Sequence, residues 1–329
     1  MARGKGLLAA DESTSTIAAR FAPFAIQPTE ENRRRYRQML FTTPHIEQYI
    51  SGVILFDETI RQRTDDGRTF VELLTERRIT PGIKVDRSTV PLAGASHERI
   101  TEGLDGLRER LAEYRTLGAR FAKWRAVIGI GEGLPSSYAV DANAHALARY
   151  AALCQEADLV PIVEPEILMD GDHSLERSFE VAEATLDRVF IELRAQGVVL
   201  EQMLLKPSMV LPGESSRYPA AVHEVAEATI RCLRRTVPAA VPGIVFLSGG
   251  QAPTTATAHL NAMNISKAEQ PWPLSFSFAR ALQEPALEKW RGQSDNASAA
   301  QRAFYHRARC NSAASQGVYT PEIEEGTEV

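Results

Sequence analysis

The sequence predicts an α/β fold, a single (β/α)8 TIM barrel in which eight parallel strands alternate with helices. Short apolar runs alternate eight times with segments of helical periodicity, and no Pro/Gly/Ser-rich linker divides the 329 residues. An open doubly wound sheet is the alternative, but the glycine fingerprint of dinucleotide binding is missing after the first strand. We therefore expect one catalytic domain over residues 1–320, followed by a short, flexible acidic tail over 321–329.

The candidate strands are continuous apolar runs, which are typical of strands buried on both faces in a parallel sheet. They are residues 6–11, 52–56, 81–85, 121–125, 160–164, 203–206, 244–248 and 274–278. We expect each strand to be followed by a helix that packs back onto the barrel.

The segments between these strands carry helix signals. Thr29 is a candidate N-cap, and Glu30 and Glu31 then face the positive end of the helix dipole. From residue 175 to 193, apolar side chains recur at i, i+3 and i+4 spacing, and Gly197 follows as a candidate C′ residue. These segments therefore favour helices between the strands.

Composition excludes several classes of protein. A net charge of −5 gives no overall field that attracts nucleic acid or an anionic membrane. The three cysteines are far apart, which argues against disulfides or a thiolate metal site, and the seven histidines are scattered. We therefore expect a soluble, cytoplasmic protein with no cofactor and without the usual helical zinc spacings, while metal ligands assembled from distant positions stay open at this point. Any phosphate site must be a local group of basic residues.

One strand ends on a lysine. Three apolar residues, Met203, Leu204 and Leu205, lead to Lys206, and Pro207 stops the strand. An ammonium at the edge of an apolar interior loses solvation, which favours the neutral, nucleophilic form and allows a Schiff base. The structural alternative is a strand-end lysine whose ammonium extends into water.

Polar and charged residues also end most of the other strands. In a (β/α)8 barrel the carboxyl ends of the strands meet at the catalytic face. The residues are Asp11, Lys84, Lys123 with Arg125, Glu164 with Glu166, Lys206, Ser248 with Gly249 and Gly250, and Ser277 with Arg280. The alternative is a set of structural ion pairs around the barrel mouth. The second strand, ending at Phe56, is given no role.

Spacing adds detail to two of these strand ends. Lys123 and Arg125 are two residues apart, as are Glu164 and Glu166, so each pair points to one side of its strand. Pro165 between the glutamates indicates that the strand ends there. Lys123 close to Lys206 would disfavour a second positive charge on that lysine.

Two groups of residues are candidates for phosphate binding. The triplet Ser248-Gly249-Gly250 offers unobstructed backbone N–H groups, although most such triplets are ordinary turns, and Arg280 follows the last strand. A second group would contain Ser13, Thr16, Lys84 and Arg125. Two anion sites on opposite sides of a central lysine fit a sugar that is phosphorylated at both ends.

Taken together and in order, the motifs resemble those of the class I, Schiff-base fructose-bisphosphate aldolases over nearly the whole chain. They are GLLAADEST (6–14), GIKVD (82–86), FAKWR (121–125), VEPE (163–166), LLKP (204–207), LSGGQ (247–251) and SFSFAR (275–280). The resemblance implies a metal-independent barrel lyase that cleaves fructose 1,6-bisphosphate reversibly, in a homotetramer.

The resemblance also implies roles for individual residues. Lys206 would form the Schiff base, Glu164 would shuttle protons, and Asp11 would take the C4 hydroxyl proton. Lys123 would hold substrate hydroxyls, and Glu166 would orient the lysines. The implied phosphate contacts are Ser248, Gly249, Ala279 and Arg280 at C1, Ser13, Thr16, Lys84 and Arg125 at C6, and Arg20 on the substrate side.

The chain departs from the family pattern in four places. The first motif begins at Gly6, so we expect the preceding helix to be absent or cut away, and the acidic tail lacks the terminal tyrosine of many members. Ala279 and Ser15 stand where glycine is common. Two other functions stay open at this point: a sugar-phosphate-binding scaffold without turnover, and a Schiff-base barrel that acts on monophosphates.

Overall fold

A computed structural model describes residues 2–265 and 270–326, and these contain ten strands. The strands are β1 (Gly6–Ala10), β2 (Ile50–Leu55), β3 (Thr80–Lys84), β4 (Thr89–Leu92), β5 (Ala95–Thr101), β6 (Phe121–Ile128), β7 (Val160–Ile167), β8 (Leu204–Leu205), β9 (Ile244–Phe246) and β10 (Leu274–Phe278). Eight of them form a closed barrel in the order β1-β10-β9-β8-β7-β6-β3-β2, with all neighbours parallel. The predicted (β/α)8 barrel is confirmed, and each of its strands overlaps one predicted from the sequence.

Strands β4 and β5 form an antiparallel hairpin outside the barrel that the sequence did not lead us to expect. Thr101 at the end of β5 donates a hydrogen bond from Oγ1 to the backbone carbonyl of Arg125, at 2.7 Å. The hairpin is therefore hydrogen-bonded to β6 at Arg125 and supports the strand there.

Helices connect the strands and cover the barrel. They are α1 (Thr14–Phe21), α2 (Glu30–Phe41), α3 (Asp57–Arg61), α4 (Phe70–Glu76), α5 (Leu107–Thr116), α6 (Ser137–Glu156), α7 (Leu175–Ala195), α8 (Val222–Thr236), α9 (Pro253–Ile265), α10 (Arg280–Trp290), α11 (Ala297–Ala314) and α12 (Pro321–Glu325). The Thr29 side chain caps α2 by accepting from the Asn32 N–H, as predicted. Gly197 follows the end of α7 with a φ of +70°, which suits a residue without a Cβ.

A small apolar cluster fills the barrel interior below its carboxyl end. It consists of Leu7, Ala9, Ile54, Phe121, Ile162 and Val245. A Cβ on Gly82 would lie 2.1 Å from the Phe121 ring, so only glycine leaves room for that ring in the barrel. A larger cluster between the strands and the helices forms the main core. The barrel interior is therefore packed below the carboxyl ends of its strands.

The prediction that β7 ends at Pro165 is wrong. The strand continues to Ile167 and pairs with β6 through Ala126↔Pro165 and Ile128↔Ile167. On its other edge, the ladder with β8 stops at Val163. The carbonyl of Val163 and the N–H of Ile167 both bond on the β8 side, and Pro165 lies between them. Its missing N–H therefore falls where the β8 ladder has already ended, so the strand tolerates the proline.

The segment expected to form an acidic tail includes α12. Its Glu324 carboxylate accepts hydrogen bonds from Arg307 of α11 and, at 2.7 Å, from the Tyr319 hydroxyl. Residues 327–329 lie outside the described residues. Among the described helices, none is long and apolar enough to cross a membrane.

Candidate active site

A cavity of about 660 Å³ opens at the carboxyl ends of the barrel strands. All sixteen residues proposed from the sequence as catalytic or substrate-binding line it. They are Asp11, Ser13, Thr16, Arg20, Lys84, Lys123, Arg125, Glu164, Glu166, Lys206, Ser248, Gly249, Gly250, Ser277, Ala279 and Arg280. The barrel topology explains the convergence, because the carboxyl ends of all eight strands share one face.

Two lysines and two carboxylates form the centre of the cavity. Lys206 Nζ lies 3.0 Å from Glu164 Oε1, and Lys123 Nζ lies 3.1 Å from Glu164 Oε2. Lys123 Nζ also lies 2.7 Å from Asp11 Oδ2. The four groups therefore form a chain in the order Lys206, Glu164, Lys123, Asp11, and all four are buried. A proton can pass between Lys206 and Glu164 without rearrangement.

The charges in this chain shift the ionisation of its members. Burial acts to raise the pKa of Asp11, but Lys123, Lys206 and Lys84 outweigh it and hold that pKa well below its usual value. Glu164 behaves in the same way: burial is outweighed by Lys123 and Lys206, and its pKa falls. For Lys123, burial is outweighed by the carboxylates of Asp11 and Glu164, which raise its pKa. At neutral pH both carboxylates are ionised and Lys123 is an ammonium.

A second set of charged residues lies on the β3–β6–β7 side of the cavity. Arg125 Nε donates to Glu166 Oε2, so Glu166 contacts the guanidinium, whereas Glu164 contacts both lysines. Lys84 Nζ lies 3.3 Å from Asp86 Oδ1. Lys84 and Arg125 are thus held by carboxylates at the cavity wall, where they can meet an anion.

The first loop places hydroxyl groups and a helix end at the cavity. Ser13 caps α1: its Oγ accepts from the Thr16 N–H at 3.3 Å and lies 2.9 Å from Thr16 Oγ1. Ser15 adds a third hydroxyl 3.1 Å from Ser13 Oγ. The N-terminus of α1 and these hydroxyls together suit a phosphate.

The β9–β10 side of the cavity combines a glycine loop with the N-terminus of a second helix. Gly249 and Gly250 have φ values of +57° and +96°, which strongly favour glycine. A Cβ on Gly250 would lie 3.0 Å from Arg280 Nη2, so a side chain there would make the guanidinium shift. Arg280 begins α10, and the Ser277 hydroxyl, buried in β10, has no hydrogen-bond partner among the described residues. These N–H and O–H donors can bind an anion in the cavity.

The order of the strands in the barrel places basic residues on two opposing walls of the cavity. Lys84 and Arg125 belong to β3 and β6, whereas Ser248 follows β9 and Ser277 belongs to β10. In the eight-strand ring, β3 and β6 lie across the barrel from β9 and β10. Lys206, at the end of β8, therefore faces a cavity with basic groups on two opposing walls.

Four further buried residues surround the site and were not proposed as site residues from the sequence: Glu12, Arg37, Asp86 and Gln283. Asp86 stands two residues after Lys84, the same spacing that drew attention to Lys123 and Arg125, so this signal was present. Glu12 adjoins Asp11 within the first motif. Nothing in the sequence around Arg37 or Gln283 distinguishes them from ordinary helix residues.

Among the described residues, one group has atoms spaced as metal ligands could be: His306, Cys310 and Glu324. It lies between α11 and α12, away from the cavity. The Glu324 carboxylate is already paired with Arg307, and burial raises the pKa of the Cys310 thiol to about 12. A cation there would compete with an arginine and a thiol proton, so we assign no metal to it.

The fold and the cavity define a class of enzyme: a (β/α)8 barrel lyase with a lysine–carboxylate centre. The family model for fructose-bisphosphate aldolase class-I matches residues 1–329. A probable fructose-bisphosphate aldolase class 1 of Xanthomonas campestris pv. campestris is 58% identical over 318 residues, covering 96% of this chain and 95% of the relative. The cytosolic fructose-bisphosphate aldolase 4 of Arabidopsis thaliana is 51% identical over 323 residues, covering 98% and 82%.

A solved structure of fructose-bisphosphate aldolase from Plasmodium falciparum, in complex with TRAP and a small-molecule inhibitor, superposes with a TM-score of 0.95. It is 47% identical and covers 97% of this chain and 92% of its own. The chain belongs to the class-I fructose-bisphosphate aldolase family. The predictions of the family, of aldolase activity and of a metal-independent lyase are confirmed.

Proposed function

We propose that Lys206 is the Schiff-base lysine and that the cavity cleaves fructose 1,6-bisphosphate to dihydroxyacetone phosphate and glyceraldehyde 3-phosphate. The observation that supports this most is the buried contact of 3.0 Å between Lys206 Nζ and Glu164 Oε1. A lysine nucleophile needs a group that takes protons from its nitrogen and delivers them to the carbonyl oxygen, and Glu164 is within hydrogen-bonding reach of that nitrogen.

Schiff-base formation begins with attack of the neutral Lys206 amine on the C2 carbonyl. Glu164 passes two protons to the C2 oxygen, one from the attacking nitrogen and one that the Lys206 ammonium gave up when it became the neutral amine. The oxygen then leaves as water and yields an iminium. Because Lys123 stays protonated 3.1 Å away, it favours the ionised form of Glu164 between these transfers. The iminium then accepts the electron pair released when the C3–C4 bond breaks.

Bond cleavage also needs a base at the C4 hydroxyl, and we assign this role to Asp11. Its carboxylate is ionised at neutral pH and ends β1 within the same cavity. Lys123, 2.7 Å away, can hold the substrate hydroxyls and stabilise the oxygen as its proton leaves. After glyceraldehyde 3-phosphate departs, C3 of the enamine is protonated and water releases dihydroxyacetone phosphate from Lys206.

The two basic walls would hold the two phosphates. We assign the C1 phosphate to the β9–β10 wall, with Ser248, Gly249, Gly250, Ser277, Ala279 and Arg280. We assign the C6 phosphate to the opposite wall, with Ser13, Thr16, Lys84 and Arg125, and place Arg20 beside the substrate. In our proposal Glu166 orients Arg125, while Glu164 makes the direct contacts to the lysines. Fixing both ends places C2 over Lys206, and such positioning is worth up to about 7–11 kcal/mol of barrier.

The cellular location and the assembly are proposed from the family resemblance. We propose a cytoplasmic protein in which residues 1–320 act as one catalytic domain and assemble as a homotetramer, as the family resemblance implies. The Arabidopsis relative is named as cytosolic, and the three cysteines of this chain are buried free thiols. Light scattering coupled to gel filtration measures the assembly; a monomeric mass at micromolar concentration would contradict the tetramer.

The proposed function is tested by following triose phosphate formation from fructose 1,6-bisphosphate. We expect turnover in the wild type and none above background in Lys206→Met. Binding of the bisphosphate with no cleavage by the wild type would contradict the proposal and favour a scaffold. A higher kcat/KM on fructose 1-phosphate than on the bisphosphate would contradict the assignment of two phosphate walls.

A further inference from the structure

A buried carboxylate beside the active site is shared by two arginines. Glu12 follows Asp11 in the first loop, and its side chain is 3% exposed. Its Oε1 accepts from Arg20 Nη1, and its Oε2 lies 2.5 Å from Arg37 Nη2. Gln283 of α10 donates to Glu12 Oε1 at 2.9 Å and to the Ala9 carbonyl at 2.7 Å. The carboxylate is therefore fixed from three sides.

The two arginines differ in where they lie. The Arg20 side chain is 24% exposed and lines the cavity. Arg37, on α2, is 3% exposed and approaches Glu12 from behind the cavity wall, over the ring of Tyr36. Arg20 uses Nη1 to contact Glu12, so Nη2 and Nε are left for other acceptors. Only Arg20 can therefore reach a bound anion.

The charges in this group leave a net positive charge facing the cavity. Glu12 contributes −1, and Arg20 and Arg37 contribute +1 each, so the three sum to +1. Burial acts to raise the pKa of Glu12, but Arg37 and then Arg20 outweigh it and lower that pKa, which keeps the carboxylate ionised. If Glu12 had Arg20 as its sole partner, the pair would be neutral and would attract a phosphate far less.

We propose that Arg37 is a positioning residue of the active site: it neutralises Glu12, so that this carboxylate can hold Arg20 in place without cancelling the charge that Arg20 offers to a substrate phosphate. This inference rests on the proposed function, in that Arg20 is taken to face the substrate. Arg37 touches neither substrate nor Lys206 and acts through Glu12. Gln283 completes the arrangement by fixing the same carboxylate to the backbone of β1.

Charge compensation tests this proposal. Arg37→Gln leaves Glu12 with Arg20 alone, and the group becomes neutral. We expect the dissociation constant of inorganic phosphate and the KM for fructose 1,6-bisphosphate to rise on the order of tenfold, the value of one charge-assisted contact. We expect kcat to change less than twofold. The double variant Glu12→Gln/Arg37→Gln restores the sum to +1, and its amide oxygen still accepts from Arg20, so both constants should return to within threefold of the wild type.

Two further variants separate charge from structure. Arg37→Lys keeps the charge and should stay within threefold of the wild-type KM. Arg35→Gln removes a neighbouring charge from the same helix, where Arg35 bonds to Ser294, and should leave phosphate binding unchanged. Calorimetric titration with phosphate gives the affinity without turnover, and thermal midpoints report stability.

The proposal is overturned if Arg37→Gln lowers kcat as well as raising KM. It is also overturned if the double variant keeps the weakened phosphate affinity. If Arg37→Gln does not fold, a tenfold or larger rise in KM for Arg37→Lys overturns it instead. Failure of the proposed function is distinguishable from failure of this proposal. In the first case the wild type forms no triose phosphate, but phosphate titration of the variants still reports the charge of the group formed by Glu12, Arg20 and Arg37.

Discussion

Replacing Lys123 with methionine tests the central ion-pair chain, because methionine has a similar length and no charge. In the wild type, Lys123 Nζ lies 2.7 Å from Asp11, 3.1 Å from Glu164 and 4.0 Å from Asp86. In the variant, Glu164 keeps its contact with Lys206 at 3.0 Å, but Asp11 loses its nearest cation while remaining buried.

The expected cost follows from leaving one buried charge unpaired. Removing one partner of a buried pair costs about 3–5 kcal/mol. An unfolding entropy of about 2.1 cal/mol/K per residue over 329 residues amounts to roughly 0.7 kcal/mol/K. We therefore expect the thermal midpoint to fall by about 4–7 °C at pH 7, measured at fixed protein concentration.

The pH dependence of this loss provides a second readout. The pKa of Asp11 is lower in the folded than in the unfolded chain, so its contribution is present above about pH 4 and is lost as pH falls below that value. The difference in thermal midpoint between the wild type and Lys123→Met should therefore become smaller below about pH 4. The matched control is Lys289→Met, at an exposed position of α10, which should cost less than about 0.5 kcal/mol. The reasoning would be refuted if the thermal midpoint of Lys123→Met fell by less than 1 °C, or if its difference from the wild type did not depend on pH.

Three further predictions concern the walls and the chemistry of the cavity. Glu164→Gln should lower kcat, measured by stopped-flow kinetics, by about 10²–10⁴-fold. Phosphate, measured by titration, should still bind. An unchanged kcat contradicts the role of Glu164 as proton shuttle. Lys84→Met should raise KM for fructose 1,6-bisphosphate about tenfold and change KM for fructose 1-phosphate less than threefold; equal changes contradict the C6 assignment. Gly250→Ala, with φ at +96° and a Cβ 3.0 Å from Arg280 Nη2, should weaken phosphate binding measurably, and wild-type affinity would contradict the glycine argument.

Much of the site was accessible from the sequence because a parallel barrel brings its strand ends together. Asp11, Lys123, Glu164 and Lys206 come from four strands separated by long stretches of chain, yet each directly follows at least two apolar residues. The geometry of the fold then brings them into one cavity without any further information. The spacing of two residues also predicted correctly that Glu164 and Glu166 both line that cavity.

The remaining features depend on contacts that local patterns do not contain. Arg37 lies on α2 among other arginines, and only the packing of that helix behind β1 places it against Glu12. Pro165 was expected to end β7, but the proline N atom lies on the edge where β8 has already stopped. The hairpin of β4 and β5 has short, partly polar strands that the apolar-run criterion passes over. For Arg37 and Pro165 the deciding partner is distant in sequence.

The central claim, that Lys206 is the nucleophile, is tested most directly by borohydride reduction in the presence of dihydroxyacetone phosphate. Peptide mass spectrometry should then find the reduced three-carbon phosphate adduct on Lys206, and Lys206→Met should remain unlabelled. An adduct on Lys123 or Lys84, or no adduct in an enzyme that still cleaves the bisphosphate, would contradict the mechanism.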